Sequence, residues 1–372
     1  MRDAVLITGF PSQEARSVLR EALRDSALPK IFVLVAKARR DDAAAFLAGL
    51  SPHDSVRVEV LEGDARAIDL GLSGASWSAL ASELTRIHLC HPLASSNAER
   101  KVAVDEILHA TDEVLELATA SKRHARIVAH STALVCGDRD GRFFEDDLDA
   151  GQHLRDGIVE ANARAEKMLR ARMRLTPISV IRPSIVVGDS QTGELDRRVG
   201  TFGLFLLFVT APPDLRLPSF GRADSRLNLV PSDHVGRVAY AVGKHPGAAG
   251  KTVHVVDRDP PTAREVFELI AQAVGRRVTH GGVAAQFATA LVRAPGFERL
   301  GGSPRSLLDA LVGDVVFDDV NARECASQYA APLFSSYVGK IVEYVRASLA
   351  SVVPPAARPV EPFARIEAND LP

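Results

Sequence analysis

Short apolar runs rich in β-branched residues alternate with helical patterns over the first half of the chain, and this alternation constrains the fold most. Strand-like runs occupy residues 4–9, 31–36, 56–61, 87–90 and 127–132. Helical patterns cover residues 12–24, 102–120 and 157–173. Strands that are apolar along their whole length and separated by helices are typical of a parallel sheet covered on both faces. The pattern therefore predicts a doubly wound α/β domain.

The second half of the chain does not keep the regular alternation of strands and helices. Strands within residues 178–188 and 253–257 complete the sheet, and a capping box of Thr262 and Glu265 begins a further helix. We expect residues 1–195 to form the α/β domain, with its sheet completed by about residues 228–258. Residues 196–227 and 259–350 would form a smaller C-terminal lobe or cap, and the proline-rich residues 351–372 an extended tail.

Composition and charge exclude several classes of function. A net charge of −2 gives no reason to expect nucleic acid or anionic lipid as the main partner. The three cysteines form no Cys-x-x-Cys pair, and His88 and His91 have no clustered carboxylate, so no metal site is predicted. The longest apolar run, residues 202–211, is far shorter than the roughly 20 residues that span a bilayer. Without a transmembrane segment or a leader pattern at Met1, the chain is expected to be cytoplasmic.

The turn after the first strand carries a resemblance to a known family. It contains Thr8-Gly9-Phe10-Pro11-Ser12-Gln13-Glu14-Ala15 and resembles the Thr-Gly-x-x-Gly-x-x-Gly turn of the extended short-chain dehydrogenase/reductase superfamily. The chain is similar to the fatty-acyl-CoA and thioester reductase branch over roughly residues 6–276. Further matching stretches, in chain order, are Gly63-Asp64, Leu70 to Ser73, Ile87-His88-Leu89, Ser131-Thr132, Arg182 to Gly193, Asn228 to Asp233 and Pro261-Thr262. The resemblance implies a Rossmann-type domain with a smaller C-terminal substrate lobe.

The same resemblance implies a Ser or Thr, a Tyr that acts as general acid, and a Lys that lowers the pKa of that Tyr. Thr132 retains the first of these residues, but the Tyr and Lys positions hold Ile158 and Asn162. A tyrosine with a pKa near 10 needs a cationic neighbour to exchange a proton at neutral pH, and neither replacement can take part. His153 and Asp156 lie next to the vacant Tyr position and are candidate substitutes, although helix-surface carboxylates are usually just solvated.

The resemblance also implies NADP or NAD as the cofactor, at Thr8, Gly9, Ser12, Lys37, Asp64, His88 and Pro183. Ser12 and Ala15 replace two glycines of the turn, Ser12 can cap the helix itself, and Glu14 adds negative charge at the helix N-terminus. Two interpretations stay open, an altered but working nucleotide site and a vestigial one. Basic residues after the second strand favour NADP through Lys37 or Arg39, or form a solvated turn.

Two functional hypotheses follow from these observations. The first is a catalytically inactive, pseudoenzyme-like member of the superfamily that serves as a binding, regulatory or structural partner. The alternative is an NAD(P)H-dependent oxidoreductase of an acyl, ketone or lipid-like substrate with non-standard acid and base residues.

Two further segments bear on possible partners. The apolar residues 202–210 would line a pocket for an acyl or lipid-like group, pack as an ordinary core helix, or form a partner surface. The helices at 102–120 and 157–173 correspond to the family's dimerisation pair, so the resemblance implies a homodimer or pairing with a related protein.

Overall fold

A computed structural model describes residues 3–91, 100–197, 199–210, 217–218, 224–276, 278–279 and 313–350 of the 372-residue chain. The strands in this part, numbered in chain order, are β1 Ala4–Phe10, β2 Lys30–Val35, β3 Val58–Glu62, β4 Arg86–Leu89, β5 Arg126–His130, β6 Gly141–Phe143, β7 Ile178–Pro183, β8 Ile185–Val186, β9 Leu217–Pro218, β10 Leu229–Val230, β11 Thr252–Val255, β12 Val278–Thr279 and β13 Val315–Phe317.

A parallel sheet is the centre of the fold. Seven of the described strands form it, in the order β3-β2-β1-β4-β5-β7-β11, and every neighbouring pair is parallel. The remaining described strands pair in twos, as β8 with β10, β9 with β12 and β6 with β13. The predicted Rossmann-type, doubly wound α/β fold is confirmed.

The third strand begins later than its apolar pattern predicts. β3 starts at Val58, while Val56 is 83% exposed at the end of a short helical turn. Arg57 is buried, and its guanidinium donates to the carbonyl oxygens of Ala22 and Leu23. These hydrogen bonds attach Arg57 to the helix Gln13–Arg24 and keep it out of the strand. The apolar pattern of residues 56–61 does not indicate such long-range bonds.

Helices cover both faces of the sheet. The described helices are α1 Gln13–Arg24, α2 Arg40–Leu47, α3 Pro52–Ser55, α4 Gly74–Glu83, α5 Arg100–Ala120, α6 Gly157–Arg172, α7 Gly200–Thr210, α8 Ser232–Lys244, α9 Ala263–Ala273, α10 Val320–Ala326 and α11 Val338–Ala350. Alternate strand residues point to opposite faces, so Val5 and Ile7 pack with α1 and α8, whereas Leu6 packs with α4 and α5. None of the described helices combines the length and apolarity needed to cross a bilayer.

A separate apolar cluster joins α7, α9 and α11. Phe202, Phe205 and Phe208 of α7 are buried, and the ring of Phe208 stacks on that of Phe267 in α9 at a centroid distance of 5.9 Å. The apolar run at 202–210 thus packs largely as a core helix. The predicted capping box at the start of α9 is confirmed. The domain boundaries stay a prediction, and the proline-rich residues 351–372 lie outside the described residues.

Candidate functional site

The first βα turn joins β1 to α1 and holds β1 against β4. Gly9 has a φ of +67°, and a Cβ there would lie 2.5 Å from the carbonyl oxygen of Cys90, so only glycine fits. The Thr8 hydroxyl donates to that same carbonyl at 2.8 Å. Ser12 caps α1 by accepting a hydrogen bond from the backbone N–H of Ala15, as the sequence predicted. Thr8 is fully buried, so its hydroxyl serves the junction between the strands.

A cavity of about 150 Å³ lies beside this turn, and Gly9 and Ser12 line it together with Arg39, Asp64 and Arg66. The Asp64 carboxylate accepts hydrogen bonds from Arg66 Nε at 3.0 Å and Nη2 at 2.8 Å, and these bonds lower the pKa of Asp64. Arg39 pairs with Asp42 at 3.0 Å. Lys37 is exposed and lies outside the lining, so Arg39 is the residue of the basic run that reaches this cavity.

A larger cavity of about 270 Å³ lies between the carboxyl edge of the sheet and α7. Ser12 belongs to its lining as well, so the two cavities meet at the first turn. The other residues of the lining include Glu14, His91, Ser131, Thr132, Pro183, Asp196 and Thr201. More than half of the lining residues carry polar side chains, but most of the surface that they expose to the cavity is apolar, which is common in small-molecule sites.

The residues that the sequence resemblance assigns to catalytic positions do not come together in this cavity. Thr132 lines it, and its hydroxyl accepts a hydrogen bond from the N–H of Leu134 at 3.2 Å. Ile158 instead packs against the α5–α6 cluster that contains Val104. The Asn162 amide donates to the carbonyl oxygen of Ile158 at 2.9 Å, within its own helix. Neither residue lines either of the two cavities.

His153 and Asp156 lie at a different place, around a smaller cavity of about 50 Å³. The Asp156 carboxylate caps α6 by accepting from the N–H groups of Ile158 at 2.8 Å and Val159 at 3.2 Å. His153 is exposed and its Nδ1 lies 3.3 Å from a carboxylate oxygen of Asp138. Both groups therefore have local roles away from Thr132.

His88 projects from β4 into the layer between the sheet and α8. It is completely buried, its ring stacks on Tyr240, and its Nδ1 lies 3.3 Å from Nε2 of His130. Burial and the neighbouring His130 lower the pKa of His88 well below its ordinary value, so the ring is neutral. The structure thus places His88 behind the cavity wall, although its strand-end position suggested a cofactor contact.

Several polar residues that reach the site were not singled out from the sequence as binding residues. Glu14 lines the larger cavity and lies 3.2 Å, through Oε1, from His130 Nδ1. Desolvation lowers the pKa of His91 to about 4, against the attraction of the Glu14 carboxylate. Cys90 is buried beside them. Their positions in the sequence, just after a strand or just inside the first helix, are typical of binding residues. These positions do not show that the residues meet, because that depends on β1, β4 and β5 being neighbours in the sheet.

Solved structures share this fold across nearly the whole chain. The terminal R domain from the myxalamid PKS-NRPS biosynthetic pathway is 21% identical with a TM-score of 0.78, over 95% of this chain and 93% of that one. A reductase (R) domain of a nonribosomal peptide synthetase from Mycobacterium tuberculosis is 19% identical with a TM-score of 0.75, over 94% and 92%. Gre2 from Candida albicans, in complex with NADPH, is 14% identical with a TM-score of 0.67, over 93% and 99%.

Sequence comparison gives the family. Curated protein sequences yield no significant match. A family model described as male sterility protein matches residues 7–239, which is more than half of the chain. This match places the protein in the male sterility protein family, and the fold that it shares with the reductase domains agrees with that assignment.

Proposed function

We propose that this protein is a non-reducing member of its family, which binds a nicotinamide dinucleotide and an acyl or lipid-like ligand without transferring hydride between them. The observation that carries the proposal is the environment of Ile158 and Asn162. Ile158 packs against α5, and the Asn162 amide is bonded within α6, so neither supplies an acid beside Thr132. The described residues that line the larger cavity include no tyrosine or lysine.

The residues around the first turn fit a dinucleotide. Gly9 keeps a Cβ out of the junction between β1 and β4, and the first N–H groups of a helix have no acceptors within it, although in α1 the N–H of Ala15 is bonded to the Ser12 hydroxyl. Arg39 and Arg66 bring positive charge to the 150 Å³ cavity beside the first turn, next to Ser12. When bound, such a cofactor supplies a hydride donor. This chain's residues would hold its adenosine half at Arg39 and Asp64, while Pro183 and Thr132 line the space beyond Ser12.

The larger cavity suits the apolar ligand. Most of the surface exposed to it is apolar, and Val199, Gly200 and Thr201 bring the start of α7 to its wall. An acyl or lipid-like chain gains roughly 0.8 kcal/mol for each methylene that it buries. Binding in this cavity therefore needs no catalytic group, which agrees with a regulatory or structural role.

Two measurements on the full-length protein test the proposal. Isothermal titration calorimetry should detect NADPH binding, while NADPH absorbance should stay constant with a panel of acyl thioesters and ketones. Substrate-dependent NADPH oxidation that is lost in Thr132→Ala would overturn the non-reducing assignment. Failure to bind either dinucleotide at millimolar concentration would overturn the cofactor assignment.

A second candidate function is an NAD(P)H-dependent oxidoreductase with non-standard acid and base residues. It is favoured by one observation, that Glu14 and His91 line the same cavity as Thr132. With a pKa of about 4, His91 is neutral at pH 7 and can only accept a proton there. Glu14→Gln should then abolish any NADPH oxidation, whereas His153→Ala, at the exposed edge of a different cavity, should leave it unchanged.

A homodimer through α5 and α6 follows from the family resemblance. The outward positions of α5 carry Asp105, His109 and Asp112, so such an interface would be polar. Analytical ultracentrifugation at two ionic strengths tests it, because salt screening changes the affinity of an interface that carries charged side chains. A monomer at both ionic strengths would contradict the dimer.

A further inference from the structure

Three side chains with different metal-binding atoms converge where β4 and β5 end, below the first turn of α1. The Glu14 carboxylate, the Cys90 thiol and the His130 imidazole each offer one ligand atom, and these atoms lie within 4.8 Å of one another. Cys90 and His130 are buried, whereas Glu14 is half-buried and lines the larger cavity. The cluster is therefore enclosed on the sheet side and reaches the cavity through Glu14.

His130 directs an unbonded nitrogen into this cluster. Its side chain is 0% exposed, and Nδ1 makes no hydrogen bond, although it lies 3.2 Å from a carboxylate oxygen of Glu14. A neutral imidazole donates through one nitrogen only, and Nε2 is 3.3 Å from His88 Nδ1. When Nε2 donates to His88, the lone pair of His130 Nδ1 faces a carboxylate. These two groups repel each other unless a proton on Nδ1 or a metal ion lies between them, and a metal ion on Nδ1 fits the tautomer in which Nε2 donates to His88.

His91 contributes a second nitrogen without a partner. Its Nδ1 is a buried atom with no hydrogen bond, and the residue lines the same cavity as Glu14. It directly follows Cys90 in the chain. A fourth metal-binding group thus follows Cys90 in the chain and lines the same cavity, although it is not among the ligand atoms that lie within 4.8 Å of one another.

We propose that Glu14, Cys90 and His130 bind a zinc ion, with His91 or a water molecule as the fourth ligand. Zinc takes four ligands in a tetrahedron and accepts thiolate sulfur, imidazole nitrogen and carboxylate oxygen together. Calcium and magnesium prefer oxygen ligands throughout, so the thiol and the imidazole disfavour them. The contact between His130 and His88 is the kind of outer hydrogen bond that orients a ligating histidine.

Metal binding also changes the charge of the site. The zinc ion replaces the thiol proton of Cys90, which leaves to solvent, and no electron is transferred. The two positive charges of zinc then balance the Glu14 carboxylate and the Cys90 thiolate. A bound zinc would therefore remove the negative charge with which Glu14 opposes an anionic ligand at the N-terminus of α1.

Cobalt titration of the metal-free, full-length protein tests the site, because cobalt(II) replaces zinc and absorbs light when a thiolate binds it. We expect one cobalt ion per chain, with a thiolate-to-cobalt charge-transfer band that added zinc abolishes. Cys90→Ser should remove the band. Glu14→Gln and His130→Gln should weaken metal binding by about tenfold or more.

Buried cysteines elsewhere in the fold supply the matched controls. Cys136→Ser and Cys325→Ser replace free, buried thiols outside the cluster and should keep the band. The proposal is overturned if the wild-type protein binds no stoichiometric cobalt, or if Cys90→Ser keeps the band. If Cys90→Ser fails to fold, Glu14→Gln provides the test, because it changes only a half-buried side chain. Unchanged metal affinity in Glu14→Gln would then overturn the proposal. None of these readouts depends on dinucleotide binding.

Discussion

Arg182 on β7 donates hydrogen bonds to both carboxylate oxygens of Glu166 on α6, from Nε to Oε1 at 2.9 Å and from Nη2 to Oε2 at 2.7 Å. The two side chains are 0% and 1% exposed. This ion pair attaches α6, the helix that carries Ile158 and Asn162, to the central sheet. The placement of Ile158 and Asn162, which the resemblance assigns to the Tyr and Lys positions, therefore depends on it.

Removing the charge of Glu166 should destabilise the protein strongly. Glu166→Gln leaves the buried guanidinium of Arg182 without its counterion, which we expect to lower the free energy of unfolding by about 3–5 kcal/mol. Urea denaturation measures the change. Lys167→Ala, also on α6, breaks the exposed pair with Asp149, which lies before that helix, and should alter stability by less than about 0.5 kcal/mol. Equal effects of the two substitutions would contradict this account.

Asp25, at the end of α1, should make stability depend on pH in the acid range. Burial raises its pKa, but hydrogen bonds from Lys244 at 2.8 Å and Tyr240 at 2.6 Å outweigh burial and lower the pKa from 3.8 to about 2. A depressed pKa contributes stability above pH 3.8, and this contribution is lost as the pH falls towards 2.

Asp25→Asn should therefore cost about 1–2 kcal/mol at pH 7 and almost nothing at pH 2. Denaturation of both proteins across this pH range measures the difference. The matched control is Asp149→Asn, since the Asp149 side chain is 77% exposed. If the difference in unfolding free energy between wild type and Asp25→Asn does not change with pH, the hydrogen bonds from Lys244 and Tyr240 do not lower the pKa of Asp25.

The contact between α1 and α8 should not tolerate a methyl group at Gly236. A Cβ there would lie 2.7 Å from the backbone carbon and the Cβ of Ser17. We expect Gly236→Ala to lower stability by about 1–3 kcal/mol, although alanine favours a helix. Gly339→Ala, in α11, meets no atom within 4 Å and should be neutral or stabilising by up to about 1 kcal/mol. Thermal unfolding of the two variants distinguishes crowding from helix propensity.

Arg39 rather than Lys37 should set the preference for NADPH over NADH. Arg39 lines the cavity beside the first turn, whereas Lys37 is exposed outside it. Loss of one charge-assisted hydrogen bond costs at least about 1.5 kcal/mol, so Arg39→Ala should weaken NADPH binding about tenfold or more. Calorimetric titration should show little change for NADH, and Lys37→Ala should bind both dinucleotides like the wild type. If Lys37→Ala weakens NADPH binding more than Arg39→Ala does, Lys37 contacts the phosphate that distinguishes NADPH from NADH.

Local pattern was enough for much of the fold. The apolar runs at β1, β2, β4, β5 and β7 match strands of the sheet because strands buried on both faces must be apolar throughout. The capping of α1 by Ser12 and of α9 by Thr262 was readable because a cap involves only residues within one turn.

The start of β3 was not readable in this way. The bonds from Arg57 to α1 join residues that are more than thirty positions apart in the chain, so their partners could be identified only from the folded backbone. Asp156 looked like a free carboxylate beside the predicted Tyr position, but its oxygen caps α6. This cap lies within one turn, so the place of Asp156 directly before the predicted helix at 157–173 was a local signal for it.

The sequence by itself determined that this is a Rossmann-type chain, because residue identity and order are enough for that comparison. Its resemblance to the reductases also predicts that Ile158 and Asn162 occupy their Tyr and Lys positions. Only the tertiary structure decided which side chains face each other. Glu14, Cys90 and His130 belong to three separate elements, and the parallel order β1-β4-β5 places the ends of those elements at one edge. Strand order is a long-range property of packing, which no local pattern encodes.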